Sequence, residues 1–269
     1  MKPNARKLIL GLLLATDGAP LNVRDAINAC SLFDITENNV RVTLVRLSSD
    51  GLIRASGRGA YVIGPSAEGL NAAVSQWRTA EQRVGAWEGR YVLVHTGNLS
   101  RSDRRTVQRR EQALHLFGLR ELERGLFVRP DNLLGGVADL RARLHGVGLD
   151  ADAVVLGADH FDDERQARIS RLWDGAALRE EYVAQRELLT AWLARSADLE
   201  DDVAARESYL LGGAAIRQVV FDPWLPAELV DTEARARFVA TVRDFDAAGK
   251  AIWRGLSGGR SFMPLADPA

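Results

Sequence analysis

The chain has 269 residues, of which 46% are hydrophobic and 26% charged, a composition typical of a folded protein with two or three domains. Its formal net charge of -1 gives no sign of nucleic-acid binding. The single cysteine, Cys30, excludes an intrachain disulfide and a multi-cysteine zinc site, as expected for a reducing compartment. The apolar run over residues 8–15 is too short for a membrane span and no cleavage site follows it, which predicts a cytoplasmic protein.

The charge is unevenly distributed along the chain. Residues 1–65 carry a net charge of +3, residues 66–173 carry +1, and residues 174–269 carry -5. A basic first part joined to an acidic last part indicates a nucleic-acid reader attached to a different kind of domain. A surplus of three positive charges is also compatible with random scatter, so both interpretations stay open.

Residues 1–65 predict a winged helix-turn-helix, that is, three helices followed by a two-stranded hairpin. Apolar residues at helical spacing predict helices over residues 4–15 and 23–30, with Asn22 as the cap of the second. Thr36 is the expected N-cap of a third helix over residues 37–49.

The third helix has the properties of a DNA-recognition helix. Val40, Leu44 and Leu47 fall on one face and are expected in the core. The opposite face suits the major groove, because asparagine pairs with the adenine edge, arginine with the guanine edge, and a valine methyl meets a thymine methyl. The predicted DNA-contacting residues of this segment are Thr36, Asn38, Asn39, Arg41, Val42 and Arg46, with Val45 on the same face.

Two β-prone runs, residues 52–55 and 60–63, surround a Gly57-Arg58-Gly59 tip and predict the hairpin, or wing. Arg54 and Arg58 are expected to contact phosphates or the minor groove, which would position the protein on DNA without reading its sequence. A winged helix can instead serve as a protein-binding module, and this alternative stays open.

The middle of the chain predicts a small α/β domain. Residues 66–86 form a linker that begins with a connecting helix, and residues 87–160 show the order β-α-β-β-α-β of a ferredoxin-like domain. The free edge and open face of such a sheet favour dimerisation. The helix between the first two strands is strongly basic, with Arg101, Arg104, Arg105, Arg109 and Arg110. We interpret this run as a solvated face with Glu111 as ion-pair partner; a second contact to the DNA backbone is the alternative.

Residues 161–269 predict an α-helical regulatory domain, interrupted by a rigid turn over residues 221–226. The fold class is therefore α+β, with a winged helix-turn-helix at 1–65, a linker at 66–86, a ferredoxin-like domain at 87–160 and a helical domain at 161–269. Trp173 and Trp224 are expected to belong to the core rather than to a ligand site.

The sequence contains no convincing catalytic set. Residues 255–259 match the Gly-x-Ser-x-Gly pattern, but a nucleophile elbow needs a strand before the serine and this segment follows a predicted helix. The acidic residues 159–164 are explained by the start of a helix more simply than by a metal site. We expect neither an enzyme nor a required cofactor or metal. The alternative is a nucleic-acid-processing enzyme that uses the ferredoxin-like domain, with the winged helix as targeting module.

Several separated segments resemble the PaaX family of bacterial transcriptional repressors, the group similar to the phenylacetate-degradation repressor. The likeness is carried by residues 35–41, 46–47, 51–52, 59–61, 87–90, 117–119 and 125–130, by Leu172, Trp173, Leu178 and Tyr182, and by Asp222-Pro223-Trp224-Leu225-Pro226. The resemblance implies a winged helix, a ferredoxin-like dimerisation domain and a helical C-terminal domain. It also implies an aryl- or acyl-CoA thioester, such as phenylacetyl-CoA, as the inducer.

Together these features predict a homodimeric repressor whose partners are double-stranded DNA, a second copy of the chain and a small-molecule effector, with no membrane partner. Two recognition helices related by two-fold symmetry would read a palindromic operator, with half-sites about 10 bp apart or a multiple of that distance.

Overall fold

The computed structural model describes residues 3–15, 18–68 and 76–256, which form an α+β fold with two small antiparallel sheets. The chain divides into two compact units. Unit 1 comprises residues 1–77, 188–216 and 241–269, and unit 2 comprises residues 78–187 and 217–240. The division of the chain into four parts, at 1–65, 66–86, 87–160 and 161–269, stays a prediction.

Unit 1 begins with three helices and a three-stranded sheet. The elements are α1 (Ala5–Ala15), β1 (Leu21–Asn22), α2 (Val23–Ser31), α3 (Glu37–Ser49), β2 (Ile53–Ala55) and β3 (Ala60–Ile63). The strand order is β1-β3-β2, with both pairs antiparallel. The predicted helices and hairpin are confirmed. The sequence did not predict β1, because a strand of two residues is too short to show an alternating pattern.

The apolar stripes of the three helices meet in one core. Leu8 and Ile9 of α1, Ala26 of α2, and Val40 and Leu47 of α3 are all fully buried there. The helical spacing of apolar residues in α1, α2 and α3 therefore predicted which side chains form the core of the first 65 residues. Asn22 occupies the N-cap of α2, but its side chain makes no capping hydrogen bond and donates instead to Asp25.

Unit 2 is built around a four-stranded sheet. Its elements are β4 (Tyr91–His95), α4 (Arg104–Leu116), β5 (Arg120–Glu123), β6 (Leu126–Pro130), α5 (Gly136–Val147) and β7 (Val154–Ala158), followed by α6 (Asp163–Ile169). The strand order is β5-β6-β4-β7 and every neighbouring pair is antiparallel. The predicted element order β-α-β-β-α-β is therefore present. Val92 and Val94 of β4 pack with α4 and α5 in the core of this sheet.

Three long helices complete the described chain: α7 (Gly175–Arg195), α8 (Asp201–Val220) and α9 (Thr232–Leu256). Helical periodicity of the sequence predicts helices over residues 175–195, 202–217 and 231–256, and all three are confirmed. In unit 1, the indole of Trp192 on α7 donates to Glu207 on α8 over 2.8 Å and lies against Phe245 of α9, with 4.6 Å between ring centroids. The tail over residues 257–269 lies outside the described residues.

The predicted connecting helix over residues 66–77 falls largely on residues 69–75, which the structure does not describe. On either side, Pro65–Ala67 and Gln76–Arg83 are 3-10 helices. The second of these buries Trp77 and Ala80, and a spacing of three residues suits the three-residue turn of a 3-10 helix.

The basic run of α4 is only partly solvated, which corrects the sequence interpretation. Arg110 is buried, and its guanidinium donates to both carboxylate oxygens of Asp150, at 2.7 and 2.9 Å. Its partner is therefore Asp150 rather than Glu111. The apolar stripe of α4 places position 110 against the sheet layer, where an arginine needs a buried counter-charge.

The turn over residues 221–226 lies in a buried polar cluster of unit 2, which we call the Asp222 cluster; its members are Arg129, Asn132, Tyr182, Asp222, Trp224 and Arg235. The Asp222 carboxylate accepts the Tyr182 hydroxyl at 2.5 Å and the Trp224 amide at 2.7 Å. Arg235 lies 3.7 Å from the same carboxylate and donates to the Leu225 carbonyl over 2.8 Å. Burial raises the pKa of Asp222, and the charge of Arg235 opposes that rise.

Further contacts join this turn to the sheet of unit 2. Asn132 donates to the Trp224 carbonyl over 2.8 Å and accepts from Arg129 over 3.0 Å. Burial lowers the pKa of Arg129 to about 10. Gly118 lies beneath the turn with φ +68, and a Cβ there would come within 2.6 Å of Pro223 Cα. Segments of the chain that carry the family likeness therefore meet in one structural cluster, and Trp173 and Trp224 are buried as predicted.

Candidate nucleic-acid interface

The α3 helix is held by its cap and by its buried face. Thr36 has an extended backbone and its hydroxyl accepts the Asn39 amide, which confirms the predicted N-cap of this helix. Val40, Thr43, Leu44 and Leu47 face the core. Both ends of α3 also agree with the prediction, from Glu37 to Ser49.

The opposite face of α3 is exposed along its whole length. Its exposed residues are Asn38, Asn39, Arg41, Val42, Val45 and Arg46. Val45 is 66% exposed and Val42 40% exposed, although both are apolar. This face therefore presents amide, guanidinium and methyl groups side by side, which is the set of groups that reads base edges in a major groove.

Some of these side chains bond to other side chains of the protein, and others do not. Arg41 forms an ion pair with Glu37 one turn earlier, at 2.7 Å, and the Asn39 side-chain oxygen accepts the Thr43 hydroxyl at 3.3 Å. Among the described residues, no side-chain partner is found for Asn38 or Arg46. Because an exposed ion pair contributes little stability, a phosphate or a base could displace Glu37 from Arg41 at small cost.

The hairpin presents two further arginines. β2 and β3 pair with Ile53 opposite Ile63, and the tip closes through a hydrogen bond of 2.9 Å from the Ser56 amide to the Ala60 carbonyl. Gly57 and Gly59 have φ angles of +83 and +71, values that favour glycine. Arg54 and Arg58 are exposed and have no ion-pair partner in the described part of the chain. All eight predicted DNA-contacting residues thus lie on the surface of unit 1.

The structure adds a contact of the α3 C-terminus that sequence reasoning missed. Asp50 caps this end and forms an ion pair with Arg6 of α1 at 2.8 Å. The positive charge of Arg6 therefore offsets the negative charge of Asp50, which lies next to the C-terminal end of the exposed face of α3. The two residues are 44 positions apart, and no local pattern in the sequence connects them.

Within the described ranges there is no group of three or more His, Cys, Asp or Glu side chains that could hold a metal ion. In the acidic segment, Asp162 caps α6 by accepting the Arg165 amide at 2.8 Å. Ser257 of the Gly-x-Ser-x-Gly match lies outside the described residues, but Gly255 belongs to α9, so a helix precedes the serine.

Of the helices in the described ranges, none combines the length and the apolar character that crossing a bilayer requires.

Comparisons with known proteins agree with the resemblance seen in the sequence. Residues 4–63 match the family model of PaaX-like proteins, and residues 173–255 match the model of the PaaX-like protein C-terminal domain. No curated protein matches the chain. A solved structure, the uncharacterized protein Rv0674 from Mycobacterium tuberculosis, is similar with a TM-score of 0.58 and 24% identity, covering 94% of this chain and 98% of that one. At this identity the likeness concerns the fold alone. From its two family matches, which together span more than half of its length, the chain belongs to the PaaX-like family.

Proposed function

We propose that this protein is a sequence-specific, DNA-binding transcriptional regulator and that residues 1–65 act as a winged helix-turn-helix. Members of the PaaX-like family are generally transcriptional regulators. The observation that carries the proposal is the exposed face of α3, which combines two asparagines, two valines and two arginines on a helix capped and buried on its other side. A helix of 13 residues presented in this way suits the major groove.

The contacts divide into two kinds. Asn38, Asn39, Val42 and Arg46 contact base edges, and they therefore determine which sequence is bound. Thr36 and Arg41 at the flank of α3, and Arg54 and Arg58 of the hairpin, contact phosphates or the minor groove, and they therefore set affinity and register. The two kinds differ in their response to substitution, because only base contacts discriminate between operator and unrelated DNA.

The regulator acts as a homodimer on a palindromic operator. The strand order β5-β6-β4-β7 of unit 2 supports the interpretation of this part as a ferredoxin-like domain, and it leaves β5 and β7 as edges. Val154 and Leu156 of edge strand β7 are exposed, although they are apolar. Burial of these side chains against a second copy would remove apolar surface from water and support dimerisation.

The regulator is a cytoplasmic repressor, and an aryl- or acyl-CoA thioester such as phenylacetyl-CoA releases it from DNA. This part of the proposal is supported by the family likeness alone. A ligand can release the protein only if it binds more tightly to a conformation that holds the two recognition helices in the wrong register.

A gel-shift titration against a duplex from the protein's own promoter region tests the proposal. We expect a shifted complex that phenylacetyl-CoA or another CoA thioester dissolves, whereas free phenylacetate does not. Absence of any complex would contradict the DNA-binding role, and release by free phenylacetate but by no CoA thioester would contradict the effector class. Incubation of the protein with the duplex and Mg²⁺ or Mn²⁺ tests the alternative. A regulator leaves the duplex intact, whereas a nucleic-acid-processing enzyme alters it.

A further inference from the structure

Four exposed arginines lie just before α4 and along its first half, in unit 2. The residues are Arg101, Arg104, Arg105 and Arg109, and we call this surface the α4 arginine face. None of the four has an ion-pair partner within the described ranges. The fifth arginine of the run, Arg110, points the other way and is bound to Asp150, which anchors the helix beneath the exposed face.

The placement of these charges is unfavourable for the helix itself. Arg104 and Arg105 occupy the first two positions of α4, where the helix dipole favours acidic residues, and its first turn contains none. Asp103 precedes them, but its carboxylate accepts the amides of Arg105 and Thr106 as the N-cap. A sequence that keeps two arginines at this end accepts a loss of stability, which is expected where a charge serves binding.

The acidic residues near the face form no ion pair with it. Asp103 interacts with the charge of Arg105 and Asp150 with that of Arg109, but Asp103 caps the helix and Asp150 is hydrogen-bonded to Arg110. Glu111, the partner suggested by the sequence, is exposed and lies two positions beyond Arg109, where two helical residues do not face each other. The stem of Arg109 lies over Gly148, since a Cβ on that glycine would come within 2.6 Å of Arg109 Cδ. Its apolar part is therefore packed while its guanidinium stays in solvent.

We propose that the α4 arginine face is a second contact surface for the phosphates of double-stranded DNA, in addition to α3 and the hairpin. The inference rests on the proposed function, because it assumes that the protein binds DNA. Guanidinium groups match phosphate oxygens with paired hydrogen bonds, and four exposed ones that form no ion pair among the described residues complement a polyanion. Such contacts read no sequence, so they strengthen binding to operator and to unrelated DNA equally.

The test is the salt dependence of DNA binding by the full chain with Arg104→Gln and Arg105→Gln combined. A control with Arg171→Gln and Arg254→Gln removes the same charge from two other exposed positions. Fluorescence anisotropy of the promoter duplex and of a scrambled duplex, at several NaCl concentrations, gives the slope of log Kd against log salt. Because each phosphate contact contributes about 0.9 to that slope, we expect a decrease of about 2 on both duplexes and no decrease in the control.

A second readout separates binding from folding. Removing two positive charges from the first turn of α4 is expected to raise the melting temperature by about 1–3 °C while DNA affinity falls several-fold. An unchanged slope, with wild-type protein still binding the promoter, would overturn the inference and leave the proposed function intact. A lower slope accompanied by a lower melting temperature would also overturn it, because the face would then be structural. Failure of the wild-type protein to bind any DNA would instead reject the proposed function.

Discussion

The aromatic rings of Phe33 and Tyr209 meet edge to face in unit 1, with 5.5 Å between their centroids. Phe33 lies in the turn between α2 and α3, and Tyr209 belongs to α8. Arg206, one turn earlier in α8, donates to the Leu32 carbonyl of the same turn over 3.4 Å. The C-terminal part of unit 1 therefore supports the turn that precedes the candidate recognition helix.

Because Tyr209 also lies close to α1, we expect substitutions at Gly11 of α1 and at Tyr209 to have non-additive effects on the free energy of unfolding. Alanine is normally about 1 kcal/mol better than glycine inside a helix, but a Cβ at Gly11 would lie 2.6 Å from the Tyr209 hydroxyl. We expect Gly11→Ala to destabilise the wild-type protein by about 1–2 kcal/mol. In a Tyr209→Phe background, the same change should be neutral or stabilising. Urea denaturation of the four variants measures the coupling, and additive effects of the two substitutions would refute it.

A second prediction concerns Asp34, which has a φ angle of +58 in the turn before α3. Asparagine, aspartate and glycine tolerate this left-handed region, whereas alanine is strained there by about 1 kcal/mol. We expect Asp34→Ala to be about 1 kcal/mol less stable than Asp34→Gly, although alanine restricts the unfolded chain more. Equal stability of the two variants in urea denaturation would show that the turn adopts another conformation in solution.

The helices of this chain could be predicted because their information is local. The apolar spacing of α3 and α7 predicted both ends of each helix, and the Thr36 cap followed from residue type alone. The eight candidate DNA-contacting residues were predicted in the same way, since the exposed face is simply the one opposite the apolar stripe.

The partner of Arg110 illustrates what the sequence could not predict. Asp150 lies 40 residues away, so the apolar stripe of α4 can show that position 110 faces inward but not which residue pairs with Arg110. The contact between Phe33 and Tyr209 and the Asp222 cluster are likewise long-range. Such contacts depend on how elements pack, which local propensity and periodicity do not determine.

The Arg110–Asp150 pair predicts a specific acid sensitivity. Hydrogen bonding from Arg110 lowers the pKa of Asp150 below its ordinary value of about 4. A carboxyl with a lowered pKa in the folded state stabilises the protein above its ordinary pKa, and this contribution disappears as pH falls through the folded value. Asp150→Asn should therefore lose about 3 kcal/mol at pH 7 and show a flatter decline of unfolding free energy as the pH falls below about 4.

The matched control for this prediction is Asp152→Asn, because Asp152 is exposed and lies two residues away. Its stability and its acid response should resemble those of the wild-type protein. If Asp150→Asn and Asp152→Asn behaved alike, the ion pair would contribute no stability in solution.

In the Asp222 cluster, we expect Asp222→Asn to reduce the stability of the protein more than Tyr182→Phe does. Asp222→Asn removes the negative charge that faces buried Arg235 and is expected to cost about 3 kcal/mol. Tyr182→Phe removes one hydrogen bond but keeps that charge, so about 1–2 kcal/mol is expected. Denaturant midpoints of the two variants check the order. A larger loss for Tyr182→Phe would show that the hydroxyl, rather than the charge, holds the turn.

The central claim is that α3 reads base edges, and the specificity ratio of Arg46→Ala tests it most directly. This ratio is the Kd for scrambled duplex divided by the Kd for promoter duplex, measured by anisotropy at one salt concentration for wild type, Arg46→Ala and the control Arg171→Ala. A base contact predicts that Arg46→Ala loses about 1–3 kcal/mol of promoter binding, a decrease of about 5- to 150-fold, with little change on scrambled DNA. A ratio equal to that of wild type and Arg171→Ala would contradict the assignment of α3 as the recognition helix.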